Sequence, residues 1–128
     1  MEKNSVGILG AGAWGTALGK VLAEKGFPVE IWSFEKEVAD DINNCHKNEK
    51  YLPGVADFAA NLTATTDIQK AALDKEFIII AIPSLFILNT IKGILSVPNI
   101  MEGRSLIGIV TKGFITTDAG PRLIAAAL

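Results

Sequence analysis

A glycine-rich turn, Gly10-Ala11-Gly12-Ala13-Trp14-Gly15, stands between an apolar run at 6–9 and a helical pattern of Ala17, Leu18, Val21 and Leu22. By itself a G-x-G-x-x-G spacing is a common loop feature. With a buried strand before it and a helix after it, the spacing is that of the first turn of a βαβ unit. Gly10 allows the tight turn, Gly12 leaves no Cβ in the path of a ligand, and Gly15 lets helix and strand pack closely. The helix that follows offers its first N–H groups and the positive end of its dipole to an anion. A dinucleotide pyrophosphate needs that setting, and the flanks favour it over a turn with no ligand.

The rest of the chain repeats the alternation. β-type runs are predicted at about 5–10, 28–33, 62–65, 76–82 and 105–111, and helices at about 15–25, 35–46, 67–73, 84–95 and 118–127. The runs 77–82 and 106–110 are apolar on both alternating faces, which predicts strands covered by helices on both sides. The stretch 47–61 lacks periodicity, carries Pro53-Gly54 and reads as a loop. The pattern predicts an α/β fold of the doubly wound, Rossmann type: a mostly parallel sheet with helices on both faces.

The 128 residues, 49% of them hydrophobic, suffice for one compact domain, here the whole of 1–128. Twelve basic and fourteen acidic residues, net charge −2, leave no electrostatic footprint for nucleic acid. No apolar stretch approaches the roughly 20 residues of a membrane span. A start of Met1-Glu2-Lys3-Asn4 leading straight into a strand leaves no room for a signal peptide. Cys45 is the only cysteine, so neither a disulfide framework nor a cysteine-based metal site is expected, and a reducing cytoplasm is the simplest address. No metal site is predicted. Cys45 reads as an inert, partly buried thiol. His46, the only histidine, reads as solvated or capping at a helix end rather than catalytic.

In open α/β sheets ligands bind beyond the carboxyl ends of the strands. After the second strand, Glu35 has about the offset of a ribose-binding acid, against the alternative of a first-turn helix acid, and Ser33 can reach the same hydroxyls. Phe34 either stacks on adenine or belongs to the core. No arginine stands here to hold a 2′-phosphate, so NAD is preferred, with Lys36 keeping NADP open. After the fourth strand, Pro83 ends the ladder, Ser84 is a predicted N-cap, and Phe86 either walls the nicotinamide or is core. After the fifth, Lys112 in Thr111-Lys112-Gly113 points into the cleft to hold a phosphate or polarise a carbonyl, or else is a solvated loop lysine.

These segments, with the loop His46-Lys47-Asn48-Glu49-Lys50-Tyr51-Leu52-Pro53-Gly54, resemble the N-terminal domain of NAD(P)-dependent glycerol-3-phosphate dehydrogenases in order and spacing over nearly the whole chain. Trp14 inside the fingerprint, the 48–54 loop and Thr111-Lys112-Gly113 are its most specific parts. The resemblance implies interconversion of dihydroxyacetone phosphate and sn-glycerol 3-phosphate by hydride transfer with a nicotinamide, a step that feeds phospholipid synthesis. It implies cofactor contacts at Gly10, Ala11, Gly12, Ala13, Trp14, Gly15, Phe34, Phe86 and Lys112, with Lys112 also touching substrate. It further implies a homodimer in full length and an all-helical second domain carrying the proton-transfer lysine and most of the phosphate clamp.

No catalytic residue of that kind is expected within this chain. Ala13 replaces a serine common in the family, and Ile87-Leu88-Asn89 stand where many bacterial members carry an arginine. The final residues, from Gly120 to Leu128, read as a helix stopped in mid-course, so a truncated and inactive piece is expected. Two rivals remain at this point: another two-domain hydroxy-acid dehydrogenase, and a stand-alone dinucleotide-binding or redox-sensing module.

Overall fold

A computed structural model describes residues 2–110, 114–117 and 120–123, the last two segments by their backbone alone. Lys112 lies outside the described residues. The element order is β1 (Val6–Leu9), α1 (Ala13–Glu24), β2 (Val29–Trp32), α2 (Lys36–Asp40), β3 (Leu62–Thr65), α3 (Ile68–Ala72), β4 (Phe77–Ile80), α4 (Ile87–Ile94), α5 (Pro98–Met101), β5 (Leu106–Ile109), β6 (Phe114–Thr117) and β7 (Gly120–Leu123). The first five strands form one parallel sheet in the order β3-β2-β1-β4-β5. The reversal from leftward to rightward growth falls at β1, so its carboxyl end is the topological switch point.

β1 is central and all four of its residues are buried. Its alternation feeds two cores. Val6 and Ile8 join Val29, Ile31, Val38, Ile42, Phe58 and Leu62 on the α1 and α2 face. Leu9 joins Ala71, Ala72, Ile78, Ile80, Ile87 and Ile94 on the α3 and α4 face. The doubly wound sheet is thus a direct consequence of period-2 apolar runs crossed by helices. α1 lies close to the sheet because Gly15, Thr16, Gly19 and Ala23 form its buried stripe. A Cβ on Gly19 would come within 3.3 Å of both Ile8 Cδ1 and Leu62 Cδ1.

Three expectations are corrected. β5 is not covered on both faces: Leu106 is 69% and Ile107 50% exposed, because α1, α2 and α3 pack against the opposite margin, β3, and among the described residues no helix packs comparably on β5. Strand β7 occupies part of the predicted helix 118–127 and pairs antiparallel with β6. The physical reason is local: Gly120-Pro121 are the poorest helix formers, and the run Phe114-Ile115-Thr116-Thr117 favours an extended partner. Ser84 is not a side-chain cap. Residues Ser84–Phe86 form a 3-10 turn that precedes α4, with the Phe86 amide donating to the Pro83 carbonyl at 3.0 Å. The predicted helix 35–46 is present, but its second half, Asp41–Cys45, widens to a π-helical turn closed by His46 in the left-handed region (φ 53°).

Candidate functional site

The glycine turn is assembled as its spacing predicts. Gly10 adopts φ +128°, and a Cβ there would lie 2.2 Å from the Ala81 carbonyl oxygen of the neighbouring loop. A Cβ on Gly15 would lie 2.0 Å from the Gly10 oxygen, so only glycine allows α1 to start this close to β1. Gly12 is different: a Cβ there would meet nothing within 4 Å. Its side faces open space while the other two are jammed against backbone. The difference fits a ligand-facing position.

Gly12 is the N-cap of α1, and its carbonyl accepts the first helical bond, from Thr16 N at 3.0 Å. No side chain caps this end and no acid stands in the first turn. The positive end of a twelve-residue helix is therefore left to an anion. Ala11 is buried, whereas Ala13 and Trp14 stand exposed around the turn. The residues present fit a dinucleotide pyrophosphate.

Beyond β2, Phe34 is 86% exposed, so the core alternative is overturned and its face is open for stacking. Phe86, beyond β4, is 57% exposed and likewise is not core. Ser33 is buried and its hydroxyl is committed to the turn, accepting from Glu35 N at 3.1 Å and donating to Glu35 O at 2.8 Å. It is not placed to reach ribose hydroxyls. Glu35 precedes α2 as its N-cap residue, and makes no capping bond. Its carboxylate instead accepts from the Lys50 ammonium and the Tyr51 hydroxyl.

Those two hydrogen bonds, Lys50 first, hold the Glu35 carboxyl below the usual glutamate range. The bond to Glu35 also pushes the Tyr51 phenol up. Lys50 further pairs with Glu37 at 3.0 Å, and Lys36 pairs with Asp40 at 2.7 Å. Both lysines near the β2 end are thus engaged by carboxylates.

Sequence reasoning missed the residue that joins these parts. Asn48 is completely buried. Its amide Nδ2 donates to the Ala11 carbonyl and to Thr16 Oγ1, both at 2.9 Å, while its Oδ1 accepts from Tyr51 N at 3.2 Å. The only signal was the 48–54 loop's place in the family resemblance, which implied no role for Asn48 itself. Cys45, expected to be partly buried, is exposed, because it closes the π-helical turn on its outer side. His46 is exposed as well. Among the described residues no helix is long and apolar enough to cross a membrane.

Residues 5–127 match the family model described as NAD-dependent glycerol-3-phosphate dehydrogenase N-terminus. A glycerol-3-phosphate dehydrogenase [NAD(P)+] of Lysinibacillus sphaericus is 49% identical over 84 residues, covering 66% of this chain and 24% of the relative. That of Treponema pallidum is 36% identical across 97% of this chain and 37% of its own length. The structure of the Saccharomyces cerevisiae glycerol-3-phosphate dehydrogenase superposes with a TM-score of 0.83 at 29% identity, covering 98% of this chain and 38% of that one. The chain spans 24–38% of the length of these relatives. Neither rival reading is favoured by these matches. Glycine turn, strand order and sequence agree, and the chain belongs to the NAD-dependent glycerol-3-phosphate dehydrogenase family, whose N-terminal region it matches.

Proposed function

We propose that the chain binds NAD(H) across the carboxyl ends of its sheet, as the cofactor-binding half of an enzyme interconverting dihydroxyacetone phosphate and sn-glycerol 3-phosphate. The carrying observation is the contrast between Gly12, open on its Cβ side, and the jammed Gly10 and Gly15. The pyrophosphate rests over residues 10–15 at the start of α1. Phe34 offers its face at the adenosine end and Phe86 at the nicotinamide end. When bound, the nicotinamide supplies the hydride. This chain's residues bind and orient, and Lys112 meets the substrate.

The acid–base group and most of the substrate phosphate clamp belong to an all-helical second domain, and the complete protein is a soluble, cytoplasmic homodimer. Without that domain neither proximity nor proton transfer is complete, so the 128-residue chain binds cofactor with negligible turnover.

Fluorescence titration with NADH tests the reading. Gly12→Ala has room for its methyl and leaves the melt unchanged, but the methyl enters the ligand's space. Affinity should fall by about tenfold or more, 1.4 kcal/mol on the binding scale. NADH binding that ignores the methyl refutes the site. With Glu35 and Glu37 holding Lys50, NADH should bind more tightly than NADPH, and equal or tighter NADPH binding refutes the NAD preference. Robust oxidation of NADH by dihydroxyacetone phosphate on the isolated chain refutes the division of labour.

A further inference from the structure

The central carbonyl of the glycine turn, that of Ala11, points inward to a side chain from another loop. Asn48 reaches Ala11 across 37 residues of sequence and Thr16 across 32. We propose that the loop 48–54 is a strap that positions the glycine turn for the pyrophosphate, with Asn48 as the positioning residue. The proposal rests on the dinucleotide reading above.

The geometry follows from the planarity of one peptide. In a trans peptide the C=O of Ala11 and the N–H of Gly12 point in opposite directions. Asn48 draws the Ala11 oxygen toward the interior at 2.9 Å, so the Gly12 N–H is turned away from it. That N–H has no partner among the described residues, and it belongs to the glycine whose Cβ side is open. The same Nδ2 donates to the buried Thr16 hydroxyl, on the residue whose amide makes the first helical bond. One amide group therefore fixes the turn and the first turn of α1 to each other, on either side of the amides that would face phosphate.

The other end of the strap is tied as well. Oδ1 of Asn48 accepts from Tyr51 N, and the Leu52 amide donates to the Asn48 carbonyl at 2.8 Å. Lys50 and Tyr51 then hold Glu35 at the end of β2. The strap thereby spans the pyrophosphate and adenosine-ribose ends of the candidate site. A buried asparagine satisfied on both its donor and its acceptor side is costly to alter, and its two donor bonds go to the glycine turn and the helix start.

The test is a titration of the full chain with NADH, ADP-ribose and adenosine, the last lacking any phosphate. Asn48→Asp keeps the acceptor for Tyr51 N and loses both donor bonds. It should weaken NADH and ADP-ribose by about tenfold and leave adenosine within about twofold. Thr16→Val removes one of the two acceptors and should shift the same ligands in the same direction. Thr16→Ser keeps the hydroxyl and should restore wild-type binding. If Asn48→Asp does not fold, the Thr16 pair decides alone. Unchanged NADH affinity in Thr16→Val, or an equal loss of adenosine binding, overturns the strap. A wild-type chain that binds neither NADH nor ADP-ribose overturns the dinucleotide reading, and the strap falls with it.

Discussion

The centre of the sheet and its β5 margin carry similar apolar residues and treat them in opposite ways. At β1 and β2, Val6, Ile8, Leu9, Val29 and Ile31 are buried to within 3% of full exclusion from solvent. At β5, Leu106, Ile107 and Gly108 are exposed, and a shallow groove lined by Leu22, Phe27, Phe77, Ile79 and Leu106 runs along the amino-terminal half of β4 and β5. The groove is almost wholly apolar and lies at the opposite end of the strands from the glycine turn, so it is open sheet face rather than cofactor site. Helix cover, not composition, separates the two regions: α1 and α3 lie over β1 and β2, and among the described residues no helix packs comparably on β5. The glycine turn grows from the finished side, where a ligand loop is held on a rigid base.

Truncating one residue in each region gives the largest expected effect. Ile8→Ala removes a side chain with no exposure from the middle of the central strand and should cost about 3–4 kcal/mol in urea unfolding. Leu106→Ala, at 69% exposure, should stay within about 0.5 kcal/mol. Similar losses at the two sites would mean that β5 is as well packed as β1, and the contrast would fail.

Electrostatics differ between the regions in the same sense. Glu30 on β2 accepts from Lys70 at 2.5 Å and from Lys75 at 2.9 Å, with its side chain and that of Lys75 each only 14% exposed. Burial alone would raise the Glu30 carboxyl, but the hydrogen bonds and charges of Lys70 and Lys75 outweigh it and hold it below the ordinary value. A carboxyl lowered in the folded state stabilises the fold at every pH above the unfolded value of about 4.3. That contribution is lost as pH falls through the lowered folded value. Glu30→Gln should cost about 2 kcal/mol at neutral pH and flatten the acid limb of the stability profile. An acid limb unchanged by the substitution would show that the clamp contributes nothing. The Glu102–Arg104 pair beside β5 is half exposed on both partners, and Glu102→Gln should change stability by no more than about 0.5 kcal/mol at neutral pH.

Much of this arrangement is legible from residue order. The strands 6–9, 29–32 and 77–80 follow from short apolar runs, and the glycine turn from its spacing, because both depend on neighbours in sequence. The fate of β5 was not legible: 106–110 reads like 77–82, and only the tertiary packing tells which strand faces the helices cover. Asn48 escaped for a related reason. Its partners Ala11 and Thr16 are more than thirty residues away, and no local pattern marks an asparagine whose amide donates inward while its Oδ1 holds the next turn. Phe34 and Phe86 were ambiguous because an aromatic beyond a strand end reads alike in a core or a ligand wall. Exposure takes both out of the core.

The smallest effect on folding should come from the margin itself, and it sharpens the comparison most. Ile107 is half exposed on the outermost strand of the parallel sheet, and a parallel edge with apolar side chains is a template for association. Ile107→Lys places a charge there without removing a fully buried contact, so unfolding free energy should change by no more than about 0.5 kcal/mol. Light scattering as a function of protein concentration should nevertheless fall, since a lysine on an edge opposes strand addition. Introducing the same charge at Ile31, which has no exposure on β2, should abolish folding instead. If Ile107→Lys unfolds the chain as Ile31→Lys does, the β5 flank is a sealed core; if neither folding nor scattering changes, its exposed apolar face is inert toward other copies of the chain.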